Sequence, residues 1–344
     1  MRFYGMTRWL LAGLFILVFC VSAYAAEPAR PLKAGMIGLD TSHVIAFVNV
    51  LNDPNKTGDL AEVKVVAGYP GGSPDVAASA GRVDMFTEKL RARGIEIVGS
   101  IDELLKKVDV VLLESVDGRP HLEQVKPVLA ARKPVFVDKP CAGSLADVIE
   151  IFRLAKEHNC PCFSSSSLRF GPEVLAMRTD PPVGEVRGAN AYGPCSLEEH
   201  HPDFFWYGVH GVEILFTIMG TGCQSVSRVQ TEGTDVAVGT WQDGRIGTFR
   251  GIREGKRGYG ATVFGTKSIA TVGRSGGYET MVVEICKFFK TGKPPVSAEE
   301  TIEIFAFMEA ADESKRQGGH PVTIQSVIEK AQKANAAKAA AEKK

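Results

Sequence analysis

A chain of 344 residues, 44% hydrophobic and 23% charged, has the length of about two globular domains and an ordinary soluble composition. Forty basic and forty acidic side chains cancel, so no charge excess marks out nucleic acid or an anionic membrane surface as a partner. That exclusion leaves a small molecule as the expected ligand class.

Arg2 and Arg8 precede an apolar run from Trp9 to Val21, and Ala23-Tyr-Ala25-Ala26 follows it. A basic start, a short apolar stretch and an A-x-A site describe a cleavable secretory signal over residues 1–26. The run is shorter than the roughly 20 residues of a membrane span. The expectation is an exported protein, periplasmic or extracellular, with no stable membrane anchor after cleavage. Phe19 is too bulky for a lipoprotein site before Cys20, and no twin-arginine pair is present, so export as an unfolded chain is expected. Cleavage leaves Cys141, Cys160, Cys162, Cys195, Cys223 and Cys286. Cys160-Pro-Cys162 lacks the spacing of redox or zinc pairs, and scattered buried thiols are expected.

From Leu32 apolar runs alternate with helix-like segments. Leu32 to Gly38 reads as a strand, followed by the turn Gly38-Leu-Asp-Thr-Ser-His43 and a helix-like stretch from Val44 to Leu51. Val63 to Ala67 is a second strand, ended by the turn-rich Gly68 to Pro74. Phe86 to Arg93 predicts a helix, Ile95 to Val98 a strand, Ile101 to Lys107 a helix and Val108 to Leu113 a buried strand. His121 to Ala131 predicts a helix, Val135 to Val137 a strand, Leu145 to His158 a helix and Pro161 to Phe163 a last strand. Such alternation implies a doubly wound parallel sheet over residues 31–165, with ligands beyond the carboxyl ends of its strands. The turn at 38–43, Ser115 to Gly118, Asp138-Lys-Pro140 and Ser164 to Ser167 would share that edge.

After Ser167 strand-like segments follow: Gly188 to Tyr192, Ser225 to Val229, Val236 to Trp241, Ile246 to Gly251, Ala261 to Phe264 and Ile269 to Val272. A helix over about Trp206 to Met219 interrupts them early, and helices over Tyr278 to Lys290 and Ala298 to Gln317 follow. Residues 166–325 therefore read as an α+β domain on an open, mostly antiparallel sheet. Residues 326–344, rich in Ala and Lys, read as a solvated tail with some helical character. An open sheet implies a homo-oligomer.

Several landmarks occur in one order. Asp138-Lys139-Pro140 follows a buried strand, with His121 17 positions earlier. Arg169-Phe170-Gly-Pro172 stands at the domain junction, and Tyr207-Gly-Val-His210-Gly-Val-Glu213 lies on a helix. Asp243-Gly244, Phe264-Gly-Thr-Lys267 and Thr291-Gly-Lys-Pro294 follow. In this order, from about Leu32 to Ile324, the chain resembles the Gfo/Idh/MocA oxidoreductases, the glucose–fructose oxidoreductase and inositol dehydrogenase family. The resemblance implies a Rossmann-like nucleotide-binding domain, then a domain for substrate binding and oligomerisation. It implies hydride transfer between NAD or NADP and a hydroxyl carbon of a carbohydrate or cyclitol. By the same resemblance His210 is the catalytic base and Lys139 assists it, contacting the cofactor as well. Gly38, Thr41, Ser42, His121 and Asp138 fall at cofactor-binding positions, and Arg169, Trp206, Tyr207 and Glu213 at substrate-binding ones. An imidazole with an ordinary pKa near ~6.5 suits the base, and a neighbouring ammonium lowers its proton affinity.

The departures are specific. A dinucleotide loop would read G-x-G-x-x-G, but Asp40 and His43 replace the second and third glycines. One carboxylate about 4 Å from a pyrophosphate charge costs roughly 4 kcal/mol at an effective dielectric of ~20. Gly68-Tyr-Pro70 stands where an acidic ribose partner would end the second strand. Trp206 replaces the aspartate one turn before His210. Three readings of the loop stay open: Asp40, Thr41 or Ser42 caps the next helix; Thr41 and Ser42 ligate phosphate while Asp40 turns away; or Asp40 and His43 serve a different ligand. His200, His201 and Asp203 raise the question of a metal, but an acidic wet loop at a substrate mouth is the expectation and no metal site is assigned. Beside the oxidoreductase, two other functions fit the pattern: a carbohydrate-binding or regulatory protein without nucleotide, and a lyase- or hydrolase-like enzyme acting on keto-sugars.

Overall fold

The apolar runs of the first half pair as a parallel sheet in a computed structural model that describes residue 1 and residues 30–273 and 276–342. The expected export signal lies outside the described residues, and among these no helix is long and apolar enough to cross a membrane. In chain order the elements are β1 (Leu32–Ile37), α1 (Ser42–Leu51), β2 (Val63–Tyr69), α2 (Ala77–Ala80), α3 (Val83–Arg91) and β3 (Glu96–Ile97). Then come α4 (Ile101–Leu105), β4 (Val110–Leu113), α5 (His121–Ala130), β5 (Val135–Val137), α6 (Leu145–Glu157) and β6 (Cys162–Ser164). The sheet order is β3-β2-β1-β4-β5-β6 with every pairing parallel. β4, β5 and β6 are buried at every residue, as strands covered on both faces must be, which explains their unbroken apolar runs. α1 buries Val44, Phe47, Val48 and Leu51, an i, i+3, i+4, i+7 stripe.

The second half contains α7 (Pro172–Thr179), β7 (Val186–Pro194), α8 (Val209–Met219), β8 (Cys223–Gln230), β9 (Thr234–Trp241), β10 (Ile246–Ile252), β11 (Gly260–Gly265) and β12 (Ile269–Val272). It closes with α9 (Glu279–Thr291), α10 (Ala298–Arg316), β13 (Val322–Thr323) and α11 (Ile324–Glu342). Its sheet runs β12-β11-β7-β10-β9-β8-β13, antiparallel except for the β7–β10 pair. The fold is therefore the expected parallel sheet followed by a mostly antiparallel one. Gly211 lets α8 lie close on this sheet, since a Cβ there would stand 2.2 Å from the Phe249 ring. Residues 31–344 form one contact unit, and a single core cluster runs from Leu113 and Val137 to Phe216 and Ile304.

Three local features differ from the expectations. The helix expected from Trp206 begins as a π-turn over Phe204–Gly208 and becomes α-helical only at Val209. The expected tail is helical as far as Glu342. Val327 and Ala331 are buried, and Asn335 on the same stripe donates to Ala146 O at 2.8 Å, so α11 is held against α6. Finally, α2 and the loop before it fold back over the β1 turn, a placement with no local sequence signal. The six cysteines are all buried and unpaired.

Candidate active site

A cavity of about 440 Å³ opens at the carboxyl edge of the parallel sheet, between that edge and the π-turn. Thr41, Ser42 and His43 bring the first turn of α1 to its wall, and Lys139 reaches it from the turn after β5. Trp206, Tyr207 and His210 come from the π-turn and the start of α8, and Tyr259 and Tyr278 complete the aromatic side. The wider π-turn presents Trp206 and Tyr207 side by side, and such turns recur at functional sites.

His210 is oriented by Ser166, whose Oγ lies 2.6 Å from Nδ1. With Nδ1 donating to that hydroxyl, Nε2 keeps its lone pair. Burial, then the charges of Lys139 and His43, hold the His210 pKa well below the ordinary 6.5, so the ring is neutral and proton-accepting at neutral pH. Lys139 is only 9% exposed, yet it has no ion-pair partner among the described residues. Its Nζ lies 5.8 Å from the Tyr207 ring centre, a cation–π distance. A buried ammonium that faces a cavity and makes no direct ion pair among the described residues is suited to hold a substrate oxygen carrying partial or full negative charge.

The other end of the sheet edge is closed. Gly38 has φ +84°, and a Cβ there would stand 2.4 Å from Ser115 N, so the β1 and β4 turns touch. Asp40 is fully buried: Val116 N–H donates to Oδ1 at 2.9 Å and Ser79 Oγ–H to Oδ2 at 2.6 Å. Desolvation raises its pKa, opposed by these hydrogen bonds. Thr41, not Asp40, caps α1, accepting from His43 N–H at 3.4 Å. The loop after β2 lies on the turn as well, with Pro70 O accepting from Leu39 N–H. Val76, Val116 and Trp206 form a small apolar cluster over the same place. Around it Arg119 bridges Asp75 and Asp117, and the His201 side chain is enclosed between Asp117 and Glu198.

The structure brings some of the expected site residues together and parts others. Lys139, His210, Thr41, Ser42, Trp206 and Tyr207 line one cavity. Arg169 does not: it is 3% exposed and pairs with Glu213 and Glu300, each at 2.7 Å, pinning the domain junction to α8 and α10. Glu213 is thereby committed to Arg169 and does not orient His210. His121 lies beneath the β4 turn, its two ring nitrogens facing Ser115 O and Cys141 O, and burial keeps it neutral. Asp138 accepts from, or pairs with, His43 Nδ1 at 2.5 Å. His200 is held by Glu198 and Asp203 by Arg228 and Lys315, so the acidic loop keeps Glu199 in solvent while its other charged groups are tied in ion pairs and His201 is enclosed.

Sequence reasoning did not single out Ser166, Arg82, Tyr259, Tyr278 or Glu114. Glu114 had a signal: it directly follows the wholly buried β4, where a carboxylate is out of place. It is fully buried, and neither of its oxygens has a hydrogen-bond partner.

Residues 32–166 match the family model GFO_IDH_MocA, described as "Oxidoreductase family, NAD-binding Rossmann fold". Over residues 32–166 the chain carries the NAD-binding Rossmann domain of the Gfo/Idh/MocA family. Among solved structures it is similar to a probable dehydrogenase from Thermotoga maritima, at 21% identity and a TM-score of 0.70 over 86% of this chain and 100% of that one. It is also similar to scyllo-inositol dehydrogenase from Lactobacillus casei with bound NAD(H) and scyllo-inositol (15%, 0.69, 86% and 100%). A third is myo-inositol 2-dehydrogenase from Lactobacillus plantarum (17%, 0.69, 86% and 99%). At these identities the likeness establishes the fold. No curated protein matches the chain. Its first domain thus matches an oxidoreductase family with an NAD-binding Rossmann fold.

The family implies a nicotinamide dinucleotide, and the residues fit only part of one. The α1 turn and Lys139 make a polar wall suited to the nicotinamide end. The adenosine end is taken up by Asp40, Ser79, the loop after β2 and the Val76–Val116–Trp206 cluster, and the end of β2 supplies no acid for a ribose.

Proposed function

We propose that the protein acts on a sugar or cyclitol, with His210 taking up the proton of a substrate hydroxyl and Lys139 holding the oxygen as negative charge develops on it. The observation that carries this reading is the pairing of a neutral, Ser166-oriented histidine with a buried lysine in one cavity. Such a pair can remove a proton and stabilise the resulting oxyanion. Trp206 and Tyr207 offer aromatic faces to the carbon side of a ring. In the family reading, NAD or NADP supplies the hydride acceptor when bound. Bound NAD(H) and scyllo-inositol in the Lactobacillus casei enzyme support that substrate class. The proposed setting is outside the cytoplasm, after removal of residues 1–26, and the proposed assembly is a homo-oligomer through the open sheet.

A second reading keeps the same proton chemistry without redox, on a keto-sugar. The burial of Asp40 between Val116 and Ser79 favours it, because these contacts occupy the adenosine end. One experiment separates the two. The purified mature protein is denatured and its supernatant assayed for NAD(P) by mass spectrometry, and the folded protein is titrated with NAD(P)H. Bound nucleotide, or saturable binding, establishes the redox reading; neither, up to millimolar nucleotide, leaves the non-redox one. Sugar and cyclitol panels then test the shared core, which fails if turnover survives in His210→Ala.

A further inference from the structure

Beneath the cavity wall three buried side chains converge: His43 from α1, Glu114 from the end of β4 and Asp138 from the end of β5. One nitrogen or oxygen of each lies within 4.8 Å of the others. Both Glu114 oxygens and Asp138 Oδ1 are buried without any hydrogen-bond partner. Three orphaned carboxylate oxygens at one point call for a missing partner, since buried polar groups are otherwise almost always satisfied.

Charge points the same way. The charged groups acting on Glu114 are Asp138, Lys139 and Asp40. Three carboxylates thus stand against one ammonium, while His121 and His210 are kept neutral by burial. Buried carboxylates in that state either take up protons or hold a cation.

Geometry decides between them. A cation held at about 2.0–2.2 Å from each ligand needs ligand atoms roughly 3–4.4 Å apart, and one atom of each side chain lies within 4.8 Å of the others. His43 Nδ1 lies 2.5 Å from Asp138 Oδ2, a hydrogen bond that would open as both turn to the ion. We propose that His43, Glu114 and Asp138 form a binding site for a divalent metal ion in the cavity wall. One imidazole and two carboxylates suit Zn²⁺, Mn²⁺ or Fe²⁺, and three protein ligands leave at least one position free. His43 itself lines the cavity. This site is separate from the His200, His201 and Asp203 loop, whose side chains are consumed by ion pairs. It does not depend on which sugar is bound or on whether a nucleotide is.

The test uses the mature full chain, stripped with chelator and titrated calorimetrically with Zn²⁺ and Mn²⁺, with Co²⁺ followed by its visible absorption. One ion per chain is expected, with Co²⁺ bands showing nitrogen and oxygen ligation. Glu114→Gln and His43→Gln should each weaken binding by about a hundredfold or more. His200→Gln should leave it unchanged. Circular dichroism confirms folding of each variant. If the folded wild-type chain binds none of the three ions by about 1 mM, the proposal is overturned and Glu114 is a protonated buried acid instead. Binding that survives in both Glu114→Gln and His43→Gln overturns it equally.

Discussion

The two ends of the sheet edge treat their polar groups in opposite ways. At the adenosine end Asp40, Ser79, Asp117, Arg119 and His201 are satisfied by one another. At the cavity end Glu114 and Asp138 carry buried polar atoms that the chain itself does not satisfy. An unsatisfied buried group costs on the order of 1–3 kcal/mol, so it persists where something outside the chain completes it. The contrast separates a part of an ancestral ligand site that has become structure from a part that remains a site.

The largest expected effect lies on the open side. His210→Ala should lower turnover of an identified sugar by about 10²–10⁴-fold, the usual contribution of a positioned base, while leaving the melting temperature nearly unchanged. A large loss of stability instead would make the ring a structural element. On the closed side, Asp40→Gly should raise affinity for NADH by up to about a thousandfold, reversing roughly 4 kcal/mol of like-charge cost. The same change should cost about 1–3 kcal/mol of stability by orphaning Val116 N–H and Ser79, read by urea unfolding. Unaltered nucleotide affinity would show that packing, not charge, closes that end.

A smaller effect is expected from Arg119→Ala. Its bond to buried Asp117 is internal, whereas the one to Asp75 is half in solvent, so a loss of about 1–2 kcal/mol is expected. The smallest change is a titration. Because the folded pKa of His210 is depressed, its neutral form persists below pH 6.5, and the acid limb of any His210-dependent rate should lie below that value. A histidine Cε1–H NMR titration tests it directly, and a His210 midpoint at or above 6.5 would contradict the enclosed, cation-flanked environment.

Much of this was legible in the chain of residues. The apolar runs at Val110 to Leu113 and Val135 to Val137 could only be buried strands, and the order of landmarks from Lys139 to Pro294 pointed to the family. Lys139 and His210 could be named because each follows a recognisable local pattern. Arg169 and Glu213 illustrate the limit: they sit in the right motifs, but their mutual pairing is a contact across 44 residues that no local pattern encodes. The loop of His200 and His201 reads as polar and wet, yet it folds inward because Asp117 and Arg228 wait for it from distant strands.

The sequence by itself determined the two sheets, their order and the family signature of the first domain, because period, strand-ending turns and spacing are local properties. Only the tertiary structure decided what Asp40, His43 and Glu114 do. Each changes meaning with its neighbours: Asp40 is a repulsive charge beside a pyrophosphate but a tie between loops beside Val116 and Ser79. Glu114 is an anomaly after a strand until His43 and Asp138 meet it from two other elements. Burial and proximity fix the state of an ionisable group, and both are set by packing across the whole chain.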